Sequence, residues 1–113
     1  MSEKILVGDQ LVFNKKEVAA GASFVSDPIS IDNNFDRMTV YSHSSALDGT
    51  LELEIPLNGS WYPALTDSIV SGSLSVFSNY HFFPKVRFKF TAGAGAGATV
   101  VSCQMNIVKH VAQ

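Results

Sequence analysis

The chain has 113 residues with ten acidic against eight basic side chains, and its formal net charge of -2 gives no general attraction to nucleic acid or to anionic lipid. Hydrophobic residues make up 46% and charged residues 16%, a globular composition whose low charge implies that part of the surface is covered by something else. The length suits one domain that can bury a core without disulfides or metals.

Cys103 is the only cysteine, so the chain cannot build an internal disulfide framework or a multi-thiolate metal site. Lying in an alternating apolar run, it reads as a small buried hydrophobe. No stretch approaches the roughly 20 apolar residues of a spanning helix, and the amino terminus has no basic region followed by a long apolar one. The expectation is a soluble protein, folded in a reducing compartment, with no membrane association and no cofactor.

In chain order, residues 4–13 (KILVGDQLVF) hold two short apolar runs around Gly8-Asp9, and residues 1–18 read as an N-terminal extension or a short hairpin ahead of a domain over residues 19–113. Ser26-Asp27-Pro28 and Asp32-Asn33-Asn34 are turn signals. From Arg37 to His43, Met38, Val40 and Ser42 face one way and Thr39, Tyr41 and His43 the other, with the β-branched and aromatic content of a strand. Leu51, Leu53 and Ile55 then alternate with Glu52 and Glu54, which puts the aliphatic groups on a buried sheet face and the carboxylates in water. Asp48-Gly49 and Asn58-Gly59 bound this strand, and both suit turns whose residues need positive φ.

Trp61 and Tyr62 open the next segment and are expected to return across the sheet into the core. Within residues 68–78 (SIVSGSLSVFS), Leu74 and Val76 alternate with serines, so the serines form a flat wet face. Residues 79–84 (NYHFFP) are an aromatic cluster closed by proline. Lys85 to Thr91 is a second clear strand, with Val86, Phe88 and Phe90 inward and Lys85, Arg87 and Lys89 outward. The AGAGAGA run that follows, with Gly93, Gly95 and Gly97, reads as a flexible connection that orders on contact with a partner. Val101, Cys103, Met105 and Ile107 face inward in the last strand. Short strands with Gly, Asn and Pro turns and no convincing helical period indicate an all-β fold, an antiparallel two-sheet β-sandwich of jelly-roll or immunoglobulin-like topology.

Spacing yields no catalytic site. Glu52 and Glu54 lie on one strand face, in an alternation that already explains them as solvated residues, well ahead of acid–base chemistry on a sugar. Lys85, Arg87 and Lys89 form a basic stripe that reads as a solvated face, or one paired with Glu52 and Glu54, ahead of a phosphate contact. His43, His81 and His110 lack partners at metal-ligand spacing. Trp61, Tyr62, Tyr80, His81, Phe82 and Phe83 could supply an aromatic platform for a carbohydrate or protein, although several must build the core.

The succession Ala19-Ala20-Gly21-Ala22-Ser23, Ser26-Asp27-Pro28-Ile29, Asp36-Arg37-Met38-Thr39-Val40, Asp48-Gly49-Thr50-Leu51, Asn58-Gly59-Ser60-Trp61-Tyr62 and Val86-Arg87-Phe88-Lys89-Phe90-Thr91-Ala92-Gly93 resembles small β-sandwich structural proteins of tailed bacteriophages. Ile55-Pro56-Leu57 departs from the pattern, where such proteins more often carry a polar strand before the turn. The resemblance implies a virion component without enzymatic activity, made in the host cytoplasm. Head decoration is the first expectation: a cement protein bound to the major capsid protein or another virion protein, as a symmetric homo-oligomer, a trimer being the expectation because shells offer threefold positions. Residues 1–20 and the glycine loop would order against the shell, while Glu52 and Glu54 opposed to Lys85, Arg87 and Lys89 would set orientation between neighbours. A tail or fibre-anchoring module and a carbohydrate-binding module using Trp61 are the alternatives.

Overall fold

The two-residue alternation becomes strand along almost the whole chain in the computed structural model, which describes residues 3–31 and 35–112. The strands are β1 (Glu3–Ala19), β2 (Ser23–Val25), β3 (Ile29–Ser30), β4 (Arg37–Ser44), β5 (Gly49–Leu57), β6 (Ser60–Ile69), β7 (Leu74–Asn79), β8 (Lys85–Ala92) and β9 (Ala98–Ala112). One sheet has the order β1-β9-β4-β7 and the other β2-β8-β5-β6, with β3 also paired to β8. Every pairing is antiparallel.

The pairings separate the two topologies left open by the sequence. Ser26 bridges β2 and β3: its amide donates to Phe88 O at 2.8 Å, and its hydroxyl accepts from Phe88 N at 2.9 Å. With β2 and β3 taken as one interrupted strand, β1 pairs with β9, β2/β3 with β8, β4 with β7 and β5 with β6, and successive pairs alternate between the sheets. This is one long hairpin rolled up on itself, a jelly roll. Successive connections therefore fall at opposite ends. The β5–β6 and β7–β8 connections lie at one end, and the β1–β2, β4–β5, β6–β7 and β8–β9 connections at the other.

The core is packed from Leu51 and Leu53 of β5 and Val86, Phe88 and Phe90 of β8 against Met38 and Val40 of β4 and Val101, Cys103 and Met105 of β9. Phe13 of β1 meets Phe24 of β2 edge to face at 5.3 Å, joining the sheets at one margin. β1 pairs with β9 through all of residues 3–19, with register shifts between Leu11 and Phe13 and between Phe13 and Lys16. β4 begins where Arg37 meets Val108, so the partners beyond, from Glu3 to Leu6 with Lys109 to Ala112, continue as a two-stranded ribbon. The turn signal at Asp32-Asn33-Asn34 lies outside the described residues.

Two local expectations are corrected and a third is met. The run 68–78 is two strands separated by a turn at 70–73, and in β7 it is Ser75, Phe77 and Asn79 that turn inward while Leu74 and Val76 are 64% and 52% exposed. The bulk of Phe77 takes the core position, and a period of two then forces its neighbours out. Gly49 has no positive φ; a Cβ there would stand 2.5 Å from Thr91 O and 2.6 Å from the Phe90 ring, so glycine is required by close approach. Asn58 and Gly59 do take positive φ, 51° and 81°, as a two-residue hairpin turn between Leu57 and Ser60 demands.

Burial pushes the Cys103 thiol up to about 12, so it stays protonated and shielded in the native protein. A thiol reagent at pH 8 is expected to leave native Cys103 unmodified and to label one thiol per chain in denaturant; rapid labelling without denaturant would contradict this packing.

At the end that carries the β8–β9 loop, Thr99 is a buried hub. The Ser44 hydroxyl donates to Leu47 O at 2.6 Å, so at the 2.6 Å contact between the two hydroxyls Thr99 must be the donor. The Thr99 oxygen in turn accepts from the amides of Ala46 at 3.0 Å and Leu47 at 3.2 Å. Thr99→Val keeps the shape and strands these groups, and urea unfolding should show a loss of about 2 kcal/mol, against less than about 1 kcal/mol for Thr99→Ser. Equal losses for the two variants would show that the hydroxyl bonds carry little of the stability.

Candidate functional site

On the outer face of the second sheet, β8 presents Lys85, Arg87 and Lys89 while β5 presents Glu52 and Glu54. The ladder sets Glu52 opposite Lys89 and Glu54 opposite Arg87. Arg87 Nε donates to Glu54 Oε1 at 2.7 Å. Glu54 is therefore not a solvated carboxylate: it is only 6% exposed, roofed by its partner.

Trp61 completes this cluster, and it lies outside the core to which the sequence assigned it. The β5–β6 ladder slips between Leu53 and Glu54, where Leu53 pairs with Leu65 but Glu54 pairs with Pro63, leaving Ala64 as the extra residue. That bulge inverts the phase of the first half of β6. Trp61 comes opposite Pro56 on the outer face, whereas an unbroken ladder would have put Tyr62 there. Pro63 is tolerated because β6 is an edge strand. The Arg87 guanidinium carbon stands 4.6 Å from the centroid of the Trp61 ring. Stacked on the indole and held at Nε by the carboxylate, the guanidinium is fixed in orientation.

The other sequence candidates are dispersed. Tyr62 and Leu57 are exposed near the β5–β6 turn, at the same end as the exposed Tyr80. Phe82 packs on Phe35 at 5.5 Å, and Phe83 is packed against the core. The Asn79 side chain holds the His81 backbone from both sides, with Nδ2 donating to His81 O at 2.7 Å and His81 N donating to Oδ1 at 3.1 Å. The aromatic residues thus do not assemble into one platform. Gly93, Gly95 and Gly97 lie at the opposite end, in a loop tied down at both sides. Gly93 N donates to Asp48 O at 2.7 Å, Gly93 O accepts from Gly21 N at 3.1 Å, and Gly97 O accepts from Ala20 N at 3.0 Å. A Cβ on Gly95 would lie 2.8 Å from Leu47 Cδ2, so the loop packs on the sandwich it connects.

One surface was missed by the sequence reading, the outer face of the first sheet. Its outward residues on β9, β4 and β7, from the row of Val100 to the row of Asn106, are Val100, Ser102, Gln104, Asn106, Thr39, Tyr41, His43, Leu74, Val76 and Ser78, with no Asp, Glu, Lys or Arg among them; Arg37 stands at the margin, one row beyond Thr39. A shallow hollow of about 220 Å³ lies in it, lined by Leu11, Asn14, Tyr41, His43, Leu74 and Gln104 among others. The signal that could have revealed it is the competition in β7 between Leu74 and Val76 on one side and the larger Phe77 on the other.

These features define a jelly-roll β-sandwich whose candidate sites are surfaces suited to non-covalent recognition. No protein-family model matches the chain, and no curated protein does. Solved structures do match. PBSX exported protein XepA is similar over 88% of this chain and 36% of that one, with a TM-score of 0.71 and 13% identity. The structures of infectious bursal disease virus, Gx and Gt strains, each match 94% of this chain and 32% of theirs, with a TM-score of 0.52 and identities of 10% and 9%. The chain spans about a third of the length of these structures, and the likeness is one of fold.

Arg87→Ala should uncover the indole, raising acrylamide quenching of Trp61 fluorescence, and should lower stability by about 1–2 kcal/mol, a partly exposed pair counting for less than a buried one. Lys89→Ala on the same strand should leave both within about 0.5 kcal/mol and wild-type quenching. Unchanged emission in Arg87→Ala would remove the stacked arrangement.

Proposed function

We propose that the protein is a structural component of a virion, a capsid decoration or cement protein that sits on the outer shell and bridges its subunits. The observation that carries this reading is the division of the sandwich into two unlike broad faces, one bearing Glu52, Glu54, Lys85, Arg87 and Lys89 and the other free of charge across the middle of β9, β4 and β7, with Arg37 at its margin. A protein held between neighbours needs surface that loses water cheaply, and uncharged side chains meet that need. Likeness in fold to an exported protein of phage PBSX and to structures of a virus supports the reading in kind.

In this reading the partner is the major capsid protein or another virion protein, the chain acts as a symmetric oligomer, and it joins the particle after synthesis in the host cytoplasm. No catalytic step and no cofactor are involved. The Glu54–Arg87–Trp61 cluster supplies a rigid polar patch that sets orientation, as preorganised charge does at interfaces. A carbohydrate-binding role is the weaker alternative, since the Arg87 guanidinium occupies a face of the Trp61 ring on which a sugar would stack.

The test is to separate native particles into heads and tails and to quantify this chain in each by mass spectrometry relative to the major shell protein. Decoration requires it in the head fraction at a copy number comparable with that protein. A few copies with the tail would transfer the assignment to a fibre-anchoring module, and absence from both would overturn the virion reading.

A further inference from the structure

The uncharged face has an order that goes beyond being apolar. Register places Leu11, Gln104, Tyr41 and Val76 in one row across all four strands of the first sheet. In this row Leu11, Tyr41 and Val76 are 55%, 37% and 52% exposed. The row next to it continues with Ser102, His43 and Leu74. On the other side, polar pairs close the patch: Asn106 Nδ2 donates to Asp9 Oδ1 at 2.6 Å, and the hydroxyls of Thr39 and Ser78 are 3.3 Å apart.

We propose that this face is an interface with a second copy of the chain, the two stacked face to face about a two-fold axis parallel to the strands. Such an axis reverses the strand order, so β1 lies over β7 of the second copy and β9 over β4. Within the central row, Leu11 then meets Val76 of the second copy, Tyr41 meets Gln104, and each contact occurs twice, as an isologous interface requires. The apolar residues meet at both flanks, and the Tyr41 hydroxyl meets an amide in the middle. Sheets packed in this manner stand about 10 Å apart with strands within about 30°.

Charge argues for a copy over another partner. A charged partner surface would be desolvated on the rows of Tyr41 and His43 without compensation, whereas the same rows of a second copy bring only neutral groups; the charges of the face, Asp9 held by Asn106 and Arg37, stand toward its margin. Area is sufficient. Four strands about 4.8 Å apart, over about eight residues of length, give a footprint on the order of 500 Å², so pairing removes on the order of 1,000–1,500 Å² from water, at the smaller end of specific interfaces. Area does not fix affinity; a small interface without charged anchors is expected to dissociate on the order of micromolar. The proposal rests on the same face that supports the virion reading, but its test is separate: sedimentation reads the second copy alone, and the distribution between heads and tails reads the virion role alone.

Sedimentation equilibrium of the full chain from about 1 to about 500 micromolar tests it. The expected result is a reversible monomer–dimer equilibrium, weakened at least about tenfold by Leu11→Lys or by Val76→Glu alone, because each buries an unpaired charge. The double variant Leu11→Lys/Val76→Glu should recover association, since the two positions face each other across the axis. Lys89→Glu on the opposite face should pair like the wild type. Leu11 and Val76 are exposed and Lys89 is half-buried, and circular dichroism checks that the fold is kept. A monomer over the whole range, a trimer, a dimer that neither single variant weakens, or a double variant no better than the single ones would each overturn the proposal.

Discussion

A strand has two choices of which residues to bury, and strand by strand that choice decides both the core and the surfaces of this sandwich. In β5 and β8 it is forced. Burying Leu51 and Leu53, or Val86, Phe88 and Phe90, leaves Glu52, Glu54, Lys85, Arg87 and Lys89 outside, and the opposite phase would put all five charged side chains between the sheets. Because the two strands are neighbours, the same choice brings acid beside base. The Glu54–Arg87 pair is thus a consequence of core packing that requires no separate design, and Trp61 is drawn onto it from the next strand.

Legibility of the sequence followed the contrast between the two residue sets. In β4, β5, β8 and β9 one set is apolar and the other polar, and the inward residues are those the alternation indicates. In β7 both sets mix serine with bulky groups, and the decision rests on distant partners. Phe77 fills the core, and Ser75 finds Asp67 of β6, donating to Oδ2 at 2.5 Å. Leu74 and Val76 then have no choice. Trp61 was misplaced for a related reason, since the extra residue at Ala64 is a property of the ladder between β5 and β6 and leaves no local mark in the sequence. The fold class was open to a sequence reading because it depends on the number of strands and turns. The composition of the outer faces was not, because it depends on the phase of two strands.

Glycine shows the same division. Its presence marks a constraint without saying which. At Gly59 the constraint is positive φ, at Gly49 the approach of a neighbouring backbone, and at Gly95 the packing of the loop on Leu47. The run from Ala92 to Ala98 looks unstructured when read alone. In the fold its amides and carbonyls are taken up by Asp48, Ala20 and Gly21, while Thr99 fastens residues 44–47 beside it. Backbone partners come from two other connections at that end, β1–β2 and β4–β5, which no local window contains.

The distribution of charge also constrains how any partner can be found. On the charged face three cations stand beside two carboxylates, Glu54 bound to Arg87 and Glu52 opposite Lys89, so most of the field is cancelled within a few ångströms. Among the described residues the other broad face has a single cation, Arg37 at its margin, across β9, β4 and β7, and the whole chain carries only -2. Neither surface can attract a partner from beyond the Debye length of about 8 Å at physiological salt. Recognition must then come from short-range fit of side-chain rows and from release of water, with association rates near the unsteered range of about 10⁵–10⁶ M⁻¹s⁻¹ and little dependence on ionic strength. Such a surface suits a protein that meets its partner at high local concentration and remains bound, as a component of an assembled particle does, and it suits poorly one that must capture a dilute charged ligand.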